Sequence, residues 1–194
     1  MVVAAFPEIR IVKPQIFSVI SHVARSKQKV EITYCSMQEP TPHTLIISPH
    51  SVVRSGRHWH VRGYCELNNV FRDFALAHIS KATPLHQPTS SQMEDDAEWM
   101  TKVPVRLIAH PALSQDQKLV VYLEYFGEAS ASVTTCRGPL VKYFIEDLPA
   151  AVDITTQDPP QYLLAVENVK EIQQWISNNV SAAQGKSAKL SISK

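Results

Sequence analysis

Apolar and polar positions in the first half of the chain predict one helix followed by several short strands. Residues 14–26 repeat apolar side chains at helical spacing, and residues 30–34 then alternate apolar with polar positions, as a half-buried strand does. Three more strands are predicted after these, over residues 44–48, 58–65 and 70–77. Short strands at this spacing favour a small antiparallel barrel over a parallel sheet.

The second half mixes the two patterns, which gives an α+β fold class overall. Ser114 and Gln117 form a capping-box signature before the apolar run LVVYLEYF, and Gly127 stands where that helix should end. The remaining segments are predicted as strands at 103–109, 129–135 and 161–166, and as helices at 138–148 and 167–180. The polar stretch 83–96, rich in proline, predicts a linker, and the small polar residues 181–194 predict a disordered tail.

Composition limits the class of protein. The chain has 194 residues, of which 44% are hydrophobic and 19% charged, as in a soluble globular protein of one or two small domains. Its apolar runs are too short for a transmembrane helix, and the N-terminus lacks the features of a signal peptide. Cys35, Cys65 and Cys136 are odd in number and lack CxxC spacing, so we expect a reducing compartment, the cytoplasm.

Charge changes this picture, because the formal net charge of +1 hides an asymmetry. Residues 1–82 carry ten Lys or Arg against five Asp or Glu, whereas residues 83–194 carry nine against thirteen. Between residues 43 and 78 every cation is an arginine, and five of the eight histidines lie there too. Arginine offers a planar fork that binds phosphate or carboxylate in a bidentate manner. This region is therefore the candidate for binding an anion.

The segment RSGRHWHVRGY, residues 54–64, concentrates that chemistry. In a strand over 58–65, period two separates Trp59 from a polar row on the other face, made of His58, His60, Arg62 and Tyr64. Such a row can bind a nucleic-acid backbone through arginine and stack bases on aromatic rings. Arg72, on the next predicted strand, joins this row only if the strand register allows it.

Three other interpretations of this row compete with anion binding. The first is a solvated strand surface without a ligand. The second is a zinc site, since His58 and His60 would lie about 6–7 Å apart, but no third ligand follows and Cys65 faces the other side. The third is catalysis, which GxSxG, Walker and GxGxxG motifs would support, and the sequence has none of them. We therefore expect no catalytic residue, no metal site and no cofactor.

The segments VEITY, LIISPHSVV, RHWHVRGYC and VFRDFALAHI, in this order, resemble the WYL domain, an Sm/SH3-like barrel common in bacterial transcriptional regulators. The naming motif of that family falls on residues 59–61, where the tryptophan is kept and the next two residues are His and Val. A later motif of the family matches at Arg72, Phe74, Leu76 and Ile79, with Ala77 and His78 in place of the usual Asp and Arg. The whole pattern is similar to the subgroup that represses phage-defence operons.

The resemblance implies a domain plan with a helical connector over 1–29, a WYL barrel over 30–82 and a linker over 83–102. A C-terminal α/β dimerisation domain over 103–180 and the tail 181–194 would follow. Regulators of this subgroup carry an N-terminal winged helix-turn-helix, for which residues 1–6 offer no room. We therefore expect contact with operator DNA only through a domain that this sequence lacks.

The resemblance also implies a function, that of the effector-sensing and dimerising portion of a repressor. Its ligand would be a nucleic acid or nucleotide in a basic, aromatic groove, and its partner a second copy. Arg62 and Arg72 are expected as phosphate forks, with further ligand contacts from His50, His60, Tyr64 and His78. Arg54 and Arg57 form a possible rim, and Trp59 belongs to the core. In the alternative interpretation, the chain is an interaction or dimerisation module with no small ligand.

Overall fold

The computed structural model describes residues 12–56 and 58–177, which form two compact units divided between Asp96 and Ala97. Four predictions lie wholly or partly outside the described residues: the start of the helical connector, the rim role of Arg57, the end of the helix over 167–180 and the tail 181–194. Among the described residues, no helix has both the length and the apolar character required to cross a bilayer.

The first unit is one helix on a five-stranded antiparallel sheet. Its elements are α1 (Pro14–Arg25), β1 (Gln28–Tyr34), β2 (His43–Ser55), β3 (His58–Cys65), β4 (Val70–Ala75) and β5 (Ile79–Pro88), with 3-10 helices at Leu76–His78 and Met93–Asp95. The strand order is β4-β3-β2-β1-β5. The apolar stripe of α1 (Ile16, Ile20, Val23) is buried against the inward residues of the sheet, which include Ile32, Ile47, Val61 and Phe74.

The sheet is strongly curved, but a closed barrel is not confirmed. Tyr34 on β1 and Phe74 on β4 have ring centroids 5.4 Å apart, although two strands lie between them in the sheet. In a flat sheet three strand spacings would separate them by about 14 Å. Within the described residues no ladder joins β4 to β5, so the sheet is rolled and open.

The backbones of β2 and β3 approach each other closely at Gly63, near His50. A Cβ at Gly63 would stand 2.8 Å from both Pro49 Cα and the Ser48 carbonyl oxygen, so a side chain does not fit there. The β2–β3 register shifts between Pro49 and Ser51, which leaves His50 as the extra residue of a β-bulge. The bulge turns His50 away from regular pairing.

The predicted linker over 83–102 is largely structured. Residues 83–88 belong to β5, and the stretch that follows is fixed to the first unit by hydrogen bonds. The backbone N–H of Ser90 donates to Ser48 Oγ (3.0 Å), and its hydroxyl donates to Glu66 Oε2 (2.9 Å). Lys27 Nζ donates to Gln92 Oε1 (2.7 Å). The polar side chains of this stretch therefore hydrogen-bond to the first unit, and the stretch is not a flexible linker.

The second unit is a four-stranded mixed sheet with helices. It contains α2 (Ala97–Met100), β6 (Lys102–Ala109), α3 (Gln115–Val121), a π-helical segment (Tyr122–Phe126), β7 (Ala131–Arg137), α4 (Val141–Asp147), β8 (Ala150–Ala151), β9 (Leu164–Val166) and α5 (Val169–Ser177). The strand order is β7-β6-β9-β8, and the β8–β9 pair is parallel. The α+β class holds for the chain, whereas the narrower expectation of an α/β second domain is not confirmed.

Candidate functional site

Strand register places the two candidate phosphate-binding arginines on opposite faces of the sheet. In the β3–β4 ladder Arg62 pairs with Asp73, and Arg72 pairs with Gly63. Directly paired residues point to the same face, and adjacent residues point to opposite faces. The expectation that Arg62 and Arg72 converge on one groove is therefore wrong.

Arg62 belongs to a buried cluster of charged and polar side chains, the Arg62 network, made of His50, Arg62, Asp73 and Asp96. Arg62 Nε lies 2.7 Å from Asp96 Oδ2, and Nη2 donates to Asp96 Oδ1 at 3.1 Å. Arg62 Nη1 also lies 3.6 Å from Asp73 Oδ1. Arg62 is 4% exposed and Asp96 is 1% exposed. The guanidinium is thus neutralised inside the unit, and it is not an open fork for phosphate.

His50 takes part in the same network instead of facing a ligand. Its Nε2 lies 3.2 Å from Asp96 Oδ2, and its Nδ1 lies 2.9 Å from the Ser51 hydroxyl. The ring packs edge-on against Phe71, with centroids 5.7 Å apart. Both ring nitrogens therefore have partners within the unit, so His50 helps Arg62 to hold Asp96.

His60 and Tyr64 share the face of Arg62, as the strand period predicts. The Tyr64 hydroxyl donates to Asn69 Oδ1 at 3.2 Å, and the Tyr64 ring packs on Phe71. The rings of His58 and His60 are 6.3 Å apart, but the described residues contain no group of three side chains able to hold a metal ion. Ligand contacts by His60 and Tyr64 stay a prediction.

The opposite face carries a second cluster, the Arg72 surface, made of Tyr34, His43, Arg72, Phe74 and His78. Tyr34 ends β1 and pairs with His43, which begins β2. The Cys35 N–H donates to the His78 carbonyl at 3.3 Å, which holds the 3-10 helix beside the end of β1. The His43 and His78 rings lie 6.4 Å and 6.1 Å from the Tyr34 ring, and Arg72 Cζ lies 5.8 Å from the Phe74 centroid. The curved sheet thus brings Arg72 and two imidazoles around a buried aromatic pair.

The Arg62 network and the Arg72 surface differ in whether their arginine is neutralised by a carboxylate. Burial raises the pKa of Tyr34, while a hydrogen bond from Ala75 and the charge of Arg72 oppose that shift, so the phenol stays neutral near pH 7. Within the described residues Arg72 makes no ion pair with a carboxylate, whereas His43 lies 3.3 Å from Glu39. The Arg72 surface therefore offers a cation that is not already neutralised, unlike the Arg62 network.

The surroundings of Trp59 agree with its predicted place in the core. The ring is half-buried against the core and meets Phe17 edge-on, with centroids 4.9 Å apart. Arg54 lies over the Trp59 ring at 5.9 Å and donates to the Gly56 carbonyl. Arg54 is thus held beside the turn, and whether it guides a ligand stays a prediction.

Comparison with protein families agrees with this two-part architecture. Residues 15–84 match the WYL domain. The first unit therefore contains a WYL domain. Residues 102–172 match the BrxR transcriptional regulator, C-terminal dimerization domain. The WYL match thus lies within the first unit, and the dimerization match lies within the second.

Curated relatives of this chain are described as DNA-binding transcriptional repressor CapW. The protein from Pseudomonas aeruginosa is 33% identical over 90% of this chain and 58% of its own length. Those from Stenotrophomonas maltophilia and Escherichia coli are 28% and 30% identical, over 82% and 88% of this chain and 54% and 57% of their own lengths. The chain therefore spans little more than half the length of these relatives. A solved structure, proteasome accessory factor B/C of Arthrobacter aurescens, has a TM-score of 0.39 and 14% identity over 90% of this chain and 28% of its own.

Sequence reasoning missed the two carboxylates of the Arg62 network, and it missed Tyr34 and His43 of the Arg72 surface. Asp96 falls at the end of the predicted linker over 83–96, and the arginine that it neutralises lies 34 residues earlier in the chain. Tyr34 is predicted only as the end of a strand, and His43 only as the last residue of the loop over 35–43. One signal in the sequence could have pointed to the Arg72 surface. Tyr34 ends the first predicted strand, so its phenol ring should lie beside the loop that follows the strand.

Proposed function

We propose that this chain is the effector-sensing and dimerising portion of a bacterial transcriptional repressor that works in the cytoplasm. Support comes from the WYL and dimerization domain matches and from relatives described as DNA-binding repressors. In this role the chain binds and dimerises, and it does not catalyse a reaction. Contact with operator DNA belongs to a winged helix-turn-helix domain and not to either unit described above.

The effector in this proposal is a nucleotide or a short nucleic-acid strand bound at the Arg72 surface. The observation that carries the proposal is the Arg72 guanidinium, which lies over an aromatic ring without a carboxylate partner among the described residues. Such a group can bind a phosphate in a bidentate manner, while the neighbouring His78 supplies a further donor. The planes of histidine and arginine side chains also stack against bases.

The remaining predicted ligand residues take different parts in this proposal. His50 and Arg62 stabilise the first unit and do not contact the ligand, because their polar atoms already bond to Asp96. His60 and Tyr64 lie on the face away from Arg72 and contact a ligand only if a second strand or phosphate wraps to that side. A substitution at His60 therefore has a smaller expected effect on affinity than one at Arg72.

Titration with a fluorescent single-stranded oligonucleotide and with nucleotides tests the Arg72 surface. We expect Arg72→Ala to weaken binding about 10- to 100-fold, the effect of losing one charge-assisted hydrogen-bonded contact. Arg25→Ala is the matched control, since Arg25 is an exposed arginine at the end of α1, before the start of β1. By strand rise the start of β1 is about 20 Å from Tyr34. Saturable binding with equal affinity in both variants would refute the assignment of this surface.

A dimerisation module without a small ligand is the second candidate function. The family match of the second unit favours it, because that match describes dimerisation and names no ligand. The two candidates differ in one measurement. A chain that is dimeric in sedimentation, yet binds neither oligonucleotides nor nucleotides at low salt, would support the module and contradict the sensor.

A further inference from the structure

The second unit exposes a row of large apolar side chains on one helical segment. Leu119, Val120 and Leu123 are 58%, 60% and 66% exposed. With Tyr125, the segment from α3 to Phe126 holds four of the seven large apolar residues that are exposed in the described part of this unit. Contiguous exposed apolar surface on a soluble protein marks a site of interaction.

The row forms a single surface because of the geometry of the segment. Leu119 and Leu123 are four residues apart and Val120 is adjacent, so all three lie on one side of the helix. The other side packs into the core through Val121, Tyr122 and Phe126. Asp116 and Glu124 flank the row and supply a polar margin. We call Leu119, Val120 and Leu123 the α3 surface.

Both ends of the segment are fixed, so the α3 surface is presented by a rigid element. Gln117 N–H donates to Ser114 Oγ (3.3 Å), and Ser114 N–H donates to Gln117 Oε1 (2.9 Å), which completes a capping box. At the far end Gly127 adopts a left-handed conformation with φ of 58°, and it ends the helix. A pre-organised surface loses little conformational entropy on binding.

We propose that the α3 surface is the contact through which a second copy of this chain docks. The inference rests on the proposed function, of which dimerisation is one part, and it names the surface involved. A second copy is the expected partner because the residues that match a dimerization domain run from 102 to 172 and include this segment. A patch on a two-fold axis meets its own copy, so one row of leucine and valine is sufficient for both partners.

Other exposed apolar residues of the unit provide a competing surface and a control. Val133 is 59% exposed on β7, where it pairs with the exposed Arg106 on the sheet face opposite the buried core residues Val105 and Leu107. Ile154 is 47% exposed in the connection between β8 and β9. Docking through the sheet would involve Val133, whereas Ile154 belongs to neither surface.

Sedimentation equilibrium of the whole chain and of Leu123→Glu, Val133→Glu and Ile154→Glu variants tests the proposal. We expect Leu123→Glu to raise the dimer dissociation constant about 30-fold or more, the effect of a hot-spot residue, and we expect the other two variants to match the parent. Far-UV circular dichroism confirms that each variant keeps its fold, because all three side chains are exposed.

Each outcome is decisive. A Leu123→Glu variant that dimerises as tightly as the parent overturns the α3 surface and leaves dimerisation standing. Dissociation by Val133→Glu alone assigns the interface to the sheet face, which also overturns it. A parent chain that stays monomeric at high concentration contradicts the dimer itself. Hydrogen exchange of the unsubstituted chain gives an independent measurement, since amides over 115–126 should gain protection as concentration rises above the dissociation constant.

Discussion

Removing the charge of Asp96 should destabilise the first unit strongly, because the change leaves the Arg62 guanidinium buried without its main partner. Breaking a buried ion pair from one side costs about 3–5 kcal/mol. Asp73 remains 3.6 Å from Arg62, and an asparagine oxygen at position 96 still accepts one hydrogen bond. For Asp96→Asn we therefore expect a loss of about 2–4 kcal/mol in the free energy of unfolding.

Urea unfolding followed by far-UV circular dichroism measures this loss. With a urea slope of about 1–3 kcal/mol per molar, the transition of the first unit should shift to lower urea by roughly 1–2 M. Glu94→Gln is the matched control, since it removes a nearby exposed carboxylate, and we expect no shift from it. The double variant Arg62→Met, Asp96→Leu should recover most of the loss, because apolar residues of similar volume replace buried ion pairs well. If Asp96→Asn shifts the transition no more than Glu94→Gln does, the Arg62 network does not hold the unit together.

Three further predictions concern other residues. Gly63→Ala should lower the free energy of unfolding by about 1–3 kcal/mol in the same urea assay, since its Cβ would meet the backbone of Pro49 and Ser48, and a loss below a few tenths would contradict the tight contact. The Cys136 thiol should react with iodoacetamide more slowly at pH 8 than cysteine in an unstructured peptide, because burial raises its pKa and leaves less thiolate; equal rates by mass spectrometry would disprove this. Nucleotide affinity should fall in a His78→Ala variant, because the His78 ring is one of the donors proposed to contact the phosphate. His22→Ala, which removes an exposed histidine of α1, should leave the affinity unchanged; an affinity unaltered by His78→Ala would remove His78 from the site.

Much of the secondary structure was predictable because its periodicity is local. The helix over 14–26 begins at Pro14, which suits the first helical turn, and the observed α1 is Pro14–Arg25. The strand over 58–65 is β3 without change. The strand over 44–48 is much longer in the structure, His43–Ser55, since Pro49 and the bulge at His50 interrupt the alternation on which the prediction depends.

The candidate site was less predictable, because residue chemistry does not specify partners or register. The strand period correctly grouped His60, Arg62 and Tyr64 on one face. However, the face to which Arg72 points depends on the register between β3 and β4. A shift of one residue in that register would move Arg72 to the other face of the sheet. Asp96 reaches Arg62 only because the stretch after β5 returns across the sheet, which no local pattern in residues 83–96 indicates.

The position of Asp96 also determines where an independently stable WYL domain must end. The family match stops at residue 84, but the carboxylate that neutralises Arg62 lies twelve residues later. A fragment cut at 84 would keep the buried cation and lose its main counter-charge, together with the Ser90 bonds to Ser48 and Glu66. For protein production the physical boundary is therefore Asp96, and a shorter fragment should be recovered mainly as insoluble aggregate.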